Sequence, residues 1–184
     1  MTVRRIVTVR EGHPVLRAVA KPVRRMDRDI RSLLDDMVET MREAPGVGLA
    51  APQVGIGLRA IVVETPLEPE NGDRPTRLYA LANPEIVWRD PRHEEDQEAC
   101  LSVPDLFGDV PRHVAVRVRG IDRAGRRVEI AASGFEARVF QHEIDHLDGV
   151  LFTDRVTGID KLYSLQEADN GELRRVPYAL DNVR

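Results

Sequence analysis

His142-Glu143-Ile144-Asp145-His146 places two imidazoles four residues apart, with a carboxylate directly after the first. On a helix turning about 100° per residue, His142 and His146 rise from one face, one turn apart, where both can ligate a single cation. Glu143 then stands beside that cation as a base for a bound water. Cys100, the one cysteine of the chain, is the third donor. A thiolate and two neutral imidazoles suit Zn(II), Fe(II), Co(II) or Ni(II) and leave a fourth position for water. A closed structural site would need a fourth protein ligand, and His13, His93 and His113 lie in unrelated contexts. Singly, a histidine pair or a lone thiol has an ordinary reading as surface or core. Together, and next to a glutamate, they argue for metal-assisted hydrolysis.

The element that carries the histidines is predicted to run from Ser133 to Gly149. Ser133 and Glu136 have the spacing of a capping box, and Gly149 stands where a left-handed C-terminal residue is wanted. Phe135 and Val139 share the histidine stripe, while Phe140, Ile144 and Leu147 fall roughly opposite, so the helix is apolar on two sides and buried. An amphipathic helix is expected earlier, from Asp27 as N-cap to Ala44. Its apolar stripe is Ile30, Leu33, Leu34, Met37, Val38 and Met41; Arg31, Asp35, Asp36, Glu39 and Arg42 cover the other face. Pro45 and Gly46 end it. The glycine-rich stretch 46–55 lacks the Lys-Ser/Thr of a phosphate loop, and Gln53 is its one hydrogen-bonding side chain.

Strands are expected at Leu58–Glu64, Leu78–Val87, around Val114–Val118 and at Arg127–Ala132, the last two a hairpin that delivers the chain to Ser133. A turn-rich loop spans Pro66–Pro75, and Asp90–Gln97 is an acidic polar segment. The first twelve residues form an alternating strand or an extended arm. A short helix is expected at Gly158–Gln166 and a last strand at Val176–Leu180. The pattern is α+β: mixed or antiparallel sheets packed around a central metal-bearing helix, in one catalytic domain over 1–184, with a tail from about 158 that carries no assigned role.

Composition narrows the class. A chain of 184 residues can build one sizeable core. A net charge of −4 gives no sign of DNA or general nucleic-acid binding. No apolar run is long enough to span a membrane, and the N-terminus lacks a signal-peptide core. A single cysteine excludes an internal disulfide framework, and the expected compartment is the cytoplasm.

Three segments occur in order: GVGLAAPQVG at 46–55, EACLSVP at 98–104 and QHEIDHLDG at 141–149. In these the chain resembles the peptide deformylase family, and the similarity extends to about Thr157. The resemblance implies removal of the formyl group from formyl-methionine at the start of nascent chains. It implies Cys100, His142 and His146 as metal ligands, Glu143 as acid/base, and Gln53 with the Leu101 N–H as stabilisers of the oxyanion. Fe(II) is the cellular metal it implies, with Zn(II), Ni(II) or Co(II) in a purified sample; transient ribosome contact also belongs to this picture.

On that reading Phe135, Val139 and Val47 would line the pocket for the methionine side chain. Backbone near Gly48 and Ala99 would bind the peptide as an added strand. Glu98 is expected to pair with Arg112 and hold the second motif. Two positions depart from the family pattern. Ala99 replaces the usual glycine, which strains the chain if φ is positive there and only narrows the groove edge if the position is extended. Phe107 replaces a basic residue common in bacterial members. The competing expectations are a different H-E-x-x-H peptidase and a catalytically silent peptide-binding homologue.

Overall fold

The structure, a computed structural model, describes residues 2–66, 76–167 and 173–178. The expected 66–75 loop, apart from Pro66, and the end of the expected last strand (179–180) lie outside the described residues.

Helix α1 (Arg28–Glu43) starts at Asp27, whose Oδ1 accepts from the Ile30 N–H at 3.0 Å. Its buried face (Leu33, Leu34, Met37, Val38, Met41) packs on Leu49, Ala51, Val54, Ala60 and Val62. Asp36, expected on the solvent face, is instead buried: it accepts from the Thr2 N–H at 2.7 Å and pairs with Arg4 at 2.8 Å. The N-terminal arm crosses this side of α1, which is why a charge there is both covered and compensated. Among the described residues the arm joins no sheet. Val7 N–H donates to Gln53 O and Val9 N–H to Ser102 O, both at 2.8 Å, tying together two segments that flank the site.

Strands β1 (Gly48–Ala50), β2 (Ala60–Pro66), β3 (Thr76–Arg89), β6 (Ala115–Asp122) and β7 (Arg127–Ser133) form one antiparallel sheet in the order β1-β2-β3-β6-β7. Along β2, Ala60 and Val62 face α1 while Ile61 and Val63 face the opposite cluster, so four consecutive residues are buried. A second antiparallel sheet holds β4 (His93–Cys100), β5 (Val103–His113), β8 (Leu162–Glu167) and β9 (Leu173–Pro177) in that order. Helix α2 (Gly134–Leu147) lays Phe140, Ile144 and Leu147 against Ile61, Val63, Val116 and Val118 of the first sheet.

Several expectations are corrected. The polar segment 90–97 supplies most of strand β4, because its side chains are solvated while its backbone pairs with β5. The expected helix 158–166 reduces to one turn (Ile159–Lys161); the chain then becomes β8, drawn to the free edge of β5 by pairing no local pattern announces. The capping box does not form. Ser133 is the last residue of β7 and makes no side-chain cap bond; the chain enters α2 through Gly134 at φ +55°, and Glu136 accepts instead from the Thr65 hydroxyl at 3.2 Å. Gly149 does take a left-handed conformation (φ +73°), and a Cβ there would come within 2.6 Å of the Arg17 carbonyl oxygen.

Candidate metal and catalytic site

Two rigid elements meet at the site. α2 presents His142 and His146 with ring centroids 5.0 Å apart. β4 ends at Cys100, where the β4–β5 register slips: Ala99 still faces Phe107, but Cys100 faces Val103 in a tight turn. The sulfur comes to 3.3 Å from His146 Nε2, and the donor atoms of Cys100, His142 and His146 all lie within 4.8 Å of one another.

Behind the pair lies a buried charge network. Glu98 accepts from Arg112 through both oxygens (2.8 and 2.9 Å), from Arg138 at 2.9 Å, and faces His142 Nδ1 at 2.8 Å. Arg112 reaches on to Asp145, which Arg155 also holds at 2.6 and 3.0 Å. The expected Glu98–Arg112 pair is therefore present, as part of a larger set. Burial alone would raise the Glu98 carboxyl; the Arg112 and His142 hydrogen bonds outweigh it and hold it well below the ordinary carboxylate range. An ionised Glu98 can only accept, so His142 Nδ1 carries a proton. Burial disfavours a charge on His142, but its hydrogen bonds with Cys100 and Glu98 outweigh that and hold its pKa well above the usual range. A cation would therefore have to displace the Nε2 proton. Burial, and then the nearby His142 and Arg112, keep His146 neutral, its pKa well below the usual range.

Glu143 is buried, and its Oε2 has no hydrogen-bond partner among the described residues. Desolvation raises its carboxyl to about 7. Gln53 is held in the turn Ala51–Val54: its Oε1 accepts from the Ala50 N–H at 2.8 Å, which directs Nε2 toward the Cys100 sulfur, 3.5 Å away.

A cavity of about 360 Å³ opens onto these groups. Val47 and Gly48 border it on one side, Ala99 and Leu101 on the other, with Phe135 and Val139 along the helix. Val139 is buried, whereas Phe135 (52% exposed) and Val47 (39%) stand at the mouth. Ala99 is not among the residues with positive φ, so its methyl narrows the groove edge without backbone strain.

Sequence reasoning missed Arg138, Asp145 and Arg155. Arg138 carried a signal: a cation four residues before His142 on an otherwise apolar stripe demands a buried anion. Gln141 was missed too; it clamps the end of β5 through His113, accepting from its N–H at 3.1 Å and donating to its carbonyl at 2.9 Å.

A family model described as polypeptide deformylase matches residues 3–162. The chain is 52% identical over 151 residues to the peptide deformylase of Symbiobacterium thermophilum, covering 82% of this chain and 66% of that protein. It is 50% identical over 148 residues to that of Halothermothrix orenii, covering 80% and 91%. Among solved structures, the Thermotoga maritima peptide deformylase superposes with a TM-score of 0.75 at 42% identity, covering 86% of this chain and all of that one. The Ehrlichia chaffeensis enzyme in complex with actinonin gives 0.79 at 38% identity, covering 88% and 92%.

Proposed function

As a member of the peptide deformylase family this chain hydrolyses the N-terminal formyl amide of formyl-methionyl nascent peptides and releases formate, and we propose that it does so with Cys100, His142 and His146 holding one divalent cation. The observation that carries the proposal is the approach of one sulfur and two imidazoles beside a buried carboxylate, one of whose oxygens has no partner among the described residues. The donor chemistry suits such an ion, and one pair has its spacing: tetrahedral S/N coordination separates neighbouring donors by roughly 3.3–3.6 Å, Cys100 Sγ and His146 Nε2 are 3.3 Å apart, and all three donors lie within 4.8 Å of one another. When bound, the cation supplies Lewis-acid polarisation of the formyl oxygen and acidifies a water.

The chain's own groups do the rest. Glu143, with a carboxyl near neutrality, accepts the proton of the attacking water and returns it to the departing amine. Gln53 Nε2 and the Leu101 N–H meet charge developing on the formyl oxygen; losing one such donor costs about 3–4 kcal/mol in barrier. Val47, Phe135 and Val139 receive the methionine side chain, while backbone at Gly48 and Ala99 binds the peptide by position. Glu98, aided by Arg112, orients His142.

The cellular ion of this reading is Fe(II), with Zn(II), Ni(II) or Co(II) as replacements on purification. The chain works as one catalytic unit in the cytoplasm, with transient ribosome contact; among the described residues no helix is long and apolar enough to cross a membrane. The test gives anaerobically purified protein formyl-Met and free-Met peptides. Formate release from the former alone, lost in Glu143→Ala, supports it; cleavage of the free-Met peptide points to another peptidase, and no turnover to a silent homologue.

A further inference from the structure

The β8–β9 hairpin lies almost wholly beyond the segment matched by the family model, which ends at residue 162. Yet it is built onto the strand pair that carries Cys100. Ala99, Phe107, Tyr163 and Pro177 are successive cross-strand partners and form one row across the sheet. Phe107 borders the catalytic cavity, and its ring stacks on Tyr163 with centroids 6.3 Å apart and planes 14° from parallel. Tyr163 is fixed from three sides. It is buried, its hydroxyl donates to Asp109 Oδ1 at 2.9 Å, and the Arg175 guanidinium lies 4.2 Å over its ring. Arg175 also pairs with Asp109 Oδ2 at 2.8 Å, closing the loop back to β5 two residues from Phe107.

Three side chains, one from each of three strands, thus hold the Phe107 ring at the cavity, and the Asp109 charge beside it is neutralised by Arg175. We propose that the β8–β9 hairpin sets substrate preference, by holding Phe107 as an apolar wall for a side chain that follows the formylated methionine. The ring offers stacking and dispersion contact to an aromatic residue and nothing to a small polar one. Tyr163 and Arg175 are positioning residues, acting through Phe107. The inference rests on the deformylase reading above.

The experiment compares formyl-Met-Ser-Ser, formyl-Met-Phe-Ser and formyl-Met-Ser-Phe, with kcat and KM measured separately. One of the phenylalanine peptides is expected to have a KM lower by about three- to tenfold, the worth of an aromatic pair, at similar kcat. Phe107→Ala brings that ratio close to one. Tyr163→Ala and Arg175→Ala narrow it to under twofold while leaving kcat for formyl-Met-Ser-Ser unchanged, and Tyr163→Phe, which keeps the ring, retains most of it. If Tyr163→Ala does not fold, Arg175→Ala carries the test from a side chain that is 55% exposed. A wild-type ratio of one, a ratio that survives Phe107→Ala, or hairpin variants that slow all three peptides equally would each overturn the proposal. Absence of formate from every peptide would instead overturn the deformylase reading beneath it.

Discussion

Gly48→Ala is the sharpest test of how the carboxylate of Glu143, the proposed acid/base, is held. A methyl added at Gly48 would stand 2.8 Å from both Cγ and Cδ of Glu143, and closer still to Oε1. Ordinary contact needs about 3.4–3.8 Å between carbons, so the carboxylate must retreat by roughly 0.6–1 Å. The helix cannot retreat with it, because α2 is packed on the first sheet through Phe140, Ile144 and Leu147 and anchored to the second through Arg138 and His142. Glu143 therefore leaves its rotamer at about 0.5–1.5 kcal/mol, and a misplacement of about 1 Å at the reacting groups costs on the order of 100-fold in rate. With formyl-Met-Ala as substrate, kcat should fall about 100-fold. Metal content should be unchanged, and the loss of stability should stay near 1 kcal/mol. A cycle with Glu143→Asp sharpens the test: the shorter side chain already vacates the contested space, so Gly48→Ala should add little to it. Gly48→Ala with near-wild-type kcat, or effects that simply multiply in the double variant, would refute the reasoning.

Glu98→Gln leaves Arg112 and Arg138 without their shared carboxylate and should destabilise the protein by about 3–5 kcal/mol in urea unfolding and weaken metal binding about 10- to 100-fold in a chelator competition. Because the folded Glu98 carboxyl is depressed, its contribution is complete above the unfolded value and shrinks as pH falls below about 4.5, so wild type and variant should converge in acid. The Glu143 shift has the opposite sign: in metal-free protein, a carboxyl raised to about 7 makes stability fall as pH rises from about 4.5 to 7. That slope, worth up to about 3 kcal/mol, should vanish in Glu143→Gln when unfolding is followed across the window. Chelating the cation should lower Tm, with stability tracking the logarithm of the free cation concentration above its Kd, and Cys100→Ser should abolish most of that dependence.

What could be read from the chain alone was whatever a short window encodes. The three-and-four spacing of α1 and its Asp27 cap, the period-two run of β6, and the one-turn separation of His142 and His146 are local periodicities. The observed elements start and end within a few residues of them. The α+β class followed from their order. What no window encodes is partnership across the fold. Asp36 looked solvent-facing because the arm that covers it is 34 residues away. Most of β4 read only as an acidic polar segment because its pairing energy resides in backbone bonds to β5, and 158–166 looked helical because the edge it joins is distant. Cys100 meets His146 across 46 residues, and the charges of Arg138, Asp145 and Arg155 are explained only once Glu98 and Arg112 are seen among them. Donor identity and spacing are properties of the chain. Convergence, burial and the resulting pKa values are properties of packing, since a charge is shifted by whichever groups the fold brings within a few ångströms of it.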